Sequence, residues 1–421
     1  MRIAHLLAPS CVLFAAACGG TTDRGAAAPT VRDSAGITIV ENTGTAWAGG
    51  KAWAVADSPM VSIGGLEGDA NADMSGIVGV ARLSDGRIAV ANGVGPDVRF
   101  FDASGAHLLT AGRKGSGPGE YQAMAGFFPI GGDSLIVADM MTRRMTVLTP
   151  AGDMARTYSL GGSGGMQVGE QSVCLAIPVS AFPDGTVLAM TQAFRMNQGP
   201  MGVYRDTAAY VTFGPDGVTL DTTMRMPGID MEQVVMNFQG REFSAPSPVP
   251  LGRVSMVAAS QDRMAAARND SYEIELHDRA GVLKKLVRVL VSPTPITEAD
   301  QAAHRKEQLE VMAGAPGMAA VPEPLKEQMR TRIEQARYPA TYPYILDMRF
   351  DPDGNLWAAE VQRAGVTARK YAVFDSAGAL LGRVVMPDKF TPFWIGRDAV
   401  AGVWKDADDV EHVRVYGLRK S

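Results

Sequence analysis

Residues 112–121, GRKGSGPGEY, set four glycines and two cations directly after an apolar run, a composition able to cradle a phosphate. A phosphate loop also needs a Gly-Lys-Ser/Thr ending and a helix whose amino end faces the anion. Glu120-Tyr121-Gln122 supplies neither, and comparable glycine-rich segments recur at 63–69 and 160–165. The stretch therefore reads as a corner joining structural units. Gly161-Gly162-Ser163-Gly164-Gly165 matches the spacing of a nucleophile elbow, but an elbow runs straight into a helix. Met166-Gln167-Val168-Gly169 starts none, so Ser163 is not read as a nucleophile. Asp69-Ala70-Asn71-Ala72-Asp73 imitates the opening of a calcium loop, yet Met74 stands where that loop needs glycine and Val80 where it needs a bidentate glutamate. An EF-hand is excluded, and only a looser calcium site stays open.

Histidine and cysteine chemistry is sparse. His107, His277, His304 and His412 lie far apart without a zinc-type neighbour at short spacing, and they read as surface or turn residues. Cys174 sits in Ser172-Val173-Cys174-Leu175-Ala176-Ile177, an apolar strand-like run in which a thiol is buried and not nucleophilic. No residue is assigned a catalytic, cofactor-binding or metal-binding role on this basis.

The amino terminus is more informative. MRIAHLLAPSCVLFAAAC places Arg2 before an apolar stretch from Leu6 to Ala17 and small residues ending at Cys18, the pattern of a secretory signal too short to span a bilayer. Residues 1–17 are read as that signal and 18–32 as a flexible tether, a coil reaching on the order of 20 Å. The formal net charge is −5, with no run of lysine or arginine, so nucleic acid is not an expected partner.

The elements that must position any site show themselves as repeats. Short runs around an Asp-Gly turn recur at 82–91, 181–189 and 349–358, with weaker copies at 131–139 and 259–265. About twenty residues after each comes a second turn, as at Asp102-Ala103-Ser104-Gly105 and Asp375-Ser376-Ala377-Gly378. Each repeat is then four antiparallel strands, the blade of a β-propeller, which cannot cover both of its faces alone. The carboxy-terminal runs 393–395, 399–404 and 413–416 lack a fourth strand. Asp33-Ser34-Ala35-Gly36 is a closing turn that leads into Ile37-Thr38-Ile39-Val40. Residues 37–42 are accordingly expected to close the last blade. The fold class is all-β: a six-bladed propeller of four-stranded blades over residues 33–421. Residues 292–342 interrupt it with a helical hairpin, in which Thr297 to Met312 and Glu323 to Arg337 carry the helical patterns. A second interruption at about 225–250, holding Met224, Met226, Met231 and Met236, reads as a long surface loop.

These turns, the corner at 112–121 and Tyr342-Pro343-Tyr344 leading to Gly354-Asn355-Leu356-Trp357 resemble the bacterial six-bladed β-propeller lipoproteins related to NHL-repeat proteins, over about residues 31–417. Ala15-Ala16-Ala17-Cys18 resembles the bacterial lipobox, which implies lipid attachment at Cys18. Gly19 follows with no acid, which points to the outer membrane. The resemblance implies an envelope protein, anchored by lipid, that binds a small molecule, a glycan, a peptide or an envelope protein without a cofactor. Six-bladed propellers also include calcium-dependent lactonases and amidating lyases, so a metal-dependent hydrolase or lyase in the central channel is the alternative. Such a site needs acids on several inner strands, and Asp347 is the one clear inner-strand carboxylate.

Overall fold

The computed structural model describes residues 28–47, 52–65, 71–161, 166–168, 172–195, 202–238, 241–315, 318–363 and 365–420. The signal, Cys18 and Ser163 lie outside these residues, as does the start of the 69–73 segment.

The described chain is mostly β, with six sheets of four or more strands. The first is an antiparallel meander of Gly79–Arg82, Ile88–Asn92, Asp97–Phe101 and His107–Ala111. The second runs from Met124–Pro129 to Met154–Tyr158, the third from Ser172–Ala181 to Thr219–Pro227, the fourth from Met256–Ala259 to Leu283–Val289 and the fifth from Ile345–Phe350 to Leu380–Val385. The sixth comprises Phe390–Ile395, Ala399–Lys405 and Glu411–Arg419, and its outermost strand is the amino-terminal Ala54–Ile63.

Local chemistry fixes the turns. The Asp85 carboxylate accepts the Arg87 amide at 3.0 Å, and Gly86 takes φ +91°, the left-handed conformation that glycine adopts without a Cβ clash. In the second kind of turn Asp102 accepts the amides of Ser104 and Ala106 at 2.8 and 3.0 Å.

Second strands such as Ile88–Asn92 are buried throughout. Ile88 and Val90 pack against Val413 and Val415 of the sixth sheet, while Ala89 and Ala91 pack with Leu135 and Val137 of the second. A strand covered on both faces reads as a continuous apolar run because alternate side chains enter two different cores. Consecutive sheets touch along the chain, and the first also touches the sixth. Bonds at one end of the strands repeat that order. The Asp133 carboxylate accepts the Ser84 amide at 3.1 Å, Gly131 donates to the Pro183 carbonyl at 2.7 Å, and Arg82 pairs with Asp398 at 3.3 Å. This arrangement is consistent with a β-propeller.

Three expectations need correction. Residues 37–42 do not pair with the carboxy-terminal strands: Ile37–Asn42 runs parallel to Leu283–Val289 at the edge of the fourth sheet, with Val40 opposite Val287. The Asp33–Gly36 turn instead makes a local hairpin with Thr30–Ser34, so strand begins within the stretch read as tether. Residues 225–250 are not a loop either. Met231–Phe238 and Arg241–Pro248 form a β-hairpin, and Met224, Met226 and Met231 are buried; the methionines fill a core at its base.

Candidate binding site

Antiparallel strands alternate in direction, so the connections of every sheet fall at two ends. The turns between first and second strands share one end. The links from an outermost strand to the next innermost strand share the other. Both large insertions occupy links of that second kind: the β-hairpin between the third and fourth sheets, and two helices between the fourth and fifth.

The helical insertion leaves through a narrow neck in which Ile296 donates to the Ala340 carbonyl at 3.0 Å and Tyr342 to that of Thr294 at 2.9 Å. Helix α1, Glu298–Gly314, opens on a capping box: the Asp300 carboxylate accepts the Thr297 amide at 2.8 Å, and the Thr297 hydroxyl accepts the Asp300 amide at 3.3 Å. The Thr297 hydroxyl also donates to the Asp300 carboxylate at 2.6 Å, and this bond first, then the Thr297 amide and Arg363 at 3.2 Å, holds Asp300 below the usual carboxylate range. Helix α2 is Glu323–Glu334, and its outer face carries Glu323, Lys326, Glu327 and Arg330 in ion pairs one turn apart.

The inner faces follow from spacing. His304, Gln308, Val311 and Met312 fall on one side of α1; Met329, Arg332 and Ile333 fall on one side of α2 and continue to Ala336. With Glu232 and Ser247 of the hairpin and Val249 just after it, they line a cavity of about 480 Å³. Asn237 of the hairpin donates its amide to the Gln328 side chain at 3.4 Å, and Arg332 donates to the Ser247 hydroxyl, so the two insertions form one structure. Neither helix buries a hydrophobic residue. Their apolar face is left half open to the cavity.

His304 and Tyr338 supply its hydrogen-bonding pair, with Nδ1 3.0 Å from the hydroxyl and the rings edge to face. Burial pushes the imidazole below its usual value, with Arg305 adding to the effect and Glu307 opposing it. Burial also raises the Tyr338 phenol, against the pull of Arg305. Both groups are then neutral near neutral pH, and one donates to the other across this contact. The cavity thus offers apolar walls and a few fixed polar groups, the usual constitution of a small-ligand site.

The other candidates separate. At 112–121 the Glu120 carboxylate accepts the Gly117 amide at 2.8 Å, and Arg144 donates to the carbonyls of Ser116 and Gly117. An internal carboxylate thus occupies the place an anion would need. The segment joins the outermost strand of the first sheet to the innermost of the second. In the calcium-like segment, Arg99 donates to the carbonyls of Asn71 and Asp73 at 2.8 and 2.7 Å, so a cation already holds the oxygens a metal would use. Asp347 is 2.7 Å from Arg349, whose guanidinium also donates to the Phe393 carbonyl. His107 bonds Thr110, His277 lies between Glu275 and the Gly281 carbonyl, and His412 contacts Asp406; of the four, only His304 reaches the cavity. Cys174 is half-buried, and burial raises its thiol above the ordinary value. Among the described residues no group of three or more His, Cys, Asp or Glu side chains converges in a way that could hold a metal.

No protein-family profile matches the chain, and no curated protein sequence matches it. Solved structures do. A protein from Bacteroides fragilis named as exported is similar at 11% identity and a TM-score of 0.44, covering 91% of this chain and 99% of its own. A DUF4221-family protein from Bacteroides vulgatus is similar at 8% identity and a TM-score of 0.47, covering 88% and 99%. The calcium-binding protein regucalcin from Agrobacterium tumefaciens is similar at 11% identity and a TM-score of 0.37, covering 83% and 92%. Likeness this remote carries no ligand, metal or activity to this chain.

Proposed function

We propose that the chain is a lipid-anchored, six-bladed propeller of the cell envelope that works by binding, with the cavity between the two insertions as its ligand site. The cyclic order of sheet contacts supports the ring, and Ala54–Ile63 at the edge of the sixth sheet supports its closure by an amino-terminal strand. One observation carries the binding reading: consecutive intersheet insertions meet over the fourth sheet and leave an apolar cavity with His304, Tyr338, Glu232 and Arg332 at its walls. Its size suits a small molecule, a short glycan or a few peptide side chains. The hydrolase or lyase alternative draws less support, because the inner-strand carboxylate Asp347 is bound to Arg349 and a guanidinium beside it repels a cation.

The test is native mass spectrometry of the protein purified from envelopes, set against Ala336→Trp, which fills the cavity. The binding reading expects a retained ligand mass that Ala336→Trp loses. A retained divalent ion, with lactone hydrolysis abolished by a chelator, would replace it with the hydrolase reading.

A further inference from the structure

We propose that the end of the molecule bearing the two insertions docks on a lipid surface through isolated apolar loop tips. Strand direction puts Val94, Met141 and Val366 at this end, in the loops between second and third strands of the first, second and fifth sheets; the insertions add Val235 in the hairpin and Val203 in the short strand paired with it. They are 52% to 66% exposed. The opposite end also exposes Val218 and Val282, in turns between third and fourth strands, but its first turns carry at least one aspartate in every sheet, among them Asp85, Asp133, Asp184, Asp262, Asp353 and Asp398.

The start of the described chain points the same way. Thr30 pairs with Glu41, and Glu41 with Arg288, one residue before Val289, from which the chain leaves for the helices. At the spacing of neighbouring strands, Thr30 is about 10 Å from Arg288. Whatever holds the residues before Thr30 at a membrane therefore holds this end close to it. Val94, Met141 and Val366 are single side chains in the loops of three different sheets. A protein interface needs a contiguous desolvated core, whereas the headgroup region accepts separate apolar groups at different depths. The sixth sheet's loop at this end carries Asp406, Asp408 and Asp409, so this sector stays in water and the molecule tilts. The orientation agrees with lipid attachment at Cys18, on which the proposed anchoring rests, but the tips can be tested without it.

The experiment uses the chain with residues 1–18 replaced by a polyhistidine tag, which keeps every described residue, in a Cys174→Ala background. It is held on vesicles of phosphatidylethanolamine, phosphatidylglycerol and a nickel-chelating lipid, and carries a fluorophore at Val94→Cys, Val366→Cys, Val218→Cys or Asp408→Cys. Docking predicts that acyl-brominated lipid quenches the 94 and 366 labels about twofold, as for side chains at the acyl boundary, leaves the 218 and 408 labels unquenched, and is unaffected by added salt. No quenching at 94 and 366 on vesicle-bound protein, equal quenching at all four sites, or relief of quenching by salt would overturn it. Mass analysis of Cys18 in the secreted full chain tests the anchor separately.

Discussion

Ile63 is the residue on which joining the chain's two ends most visibly depends. It is 3% exposed in Ala54–Ile63, opposite Val413, and packs in one cluster with Val403, Val415 and Phe101. A Cβ built on Gly105, in the last turn of the first sheet, would lie 3.0 Å from the Ile63 side chain, so this one residue fills space against two sheets. Ile63→Ala removes buried methyl groups where little can collapse, a loss of about 3 kcal/mol. With an unfolding entropy of about 2.1 cal/mol/K per residue over roughly 390 residues, near 0.8 kcal/mol/K in all, the midpoint falls by about 4 °C. Met60→Ala is the control in the same strand, since Met60 is 57% exposed and its loss costs about 0.5 kcal/mol or less. Calorimetry of the two variants decides the matter. Equal midpoints for Ile63→Ala and Met60→Ala would refute the placement of this strand in the sixth sheet.

Two further perturbations probe other joints. Lys420 reaches, at 3.0 Å, the fully buried Asp351 carboxylate, which also accepts the Trp357 indole N–H at 3.2 Å and the Asp353 and Asn355 amides; Lys420→Met removes the cation while those bonds remain and is expected to cost about 2 kcal/mol in chemical denaturation. His304 has its folded pKa lowered from an ordinary value of 6.5, so the unfolded chain takes the proton first. Stability is then complete above that pH and declines as the pH falls below it, and His304→Asn should flatten the decline in urea midpoints measured across this range.

The sequence was most legible where a structural rule is local. Asp85-Gly86 and Asp102-Ala103-Ser104-Gly105 announce their turns because the carboxylate and the glycine satisfy the turn within a few residues. Thr297 announces the start of α1 for the same reason. Partner choice is not local. Asp33–Gly36 is a turn as read, but nothing in Ile37–Asn42 distinguishes an antiparallel place in one sheet from a parallel place on another. Ala54–Ile63 hid because Asp57, Ser58 and Pro59 break its alternation, and its register with Glu411–Arg419 shifts on either side of Pro59. The cavity was less legible still, since Glu232 and Ser247 come from one insertion and His304 and Ile333 from another. Its available signal was the spacing of His304, Gln308 and Met312 with that of Met329 and Ile333, one shared face on each of two short helices that bury no apolar residue.

A cysteine pair gives the most direct test of how the ring is joined. Ala54 and Arg419 are cross-strand partners, close enough for a disulfide once both are cysteine. In a Cys174→Ala background, Ala54→Cys with Arg419→Cys should oxidise to a circular species of altered gel mobility that reverts on reduction, while Val40→Cys with Val415→Cys should stay reduced. Cross-linking of 40 to 415 with 54 and 419 left free would contradict the account.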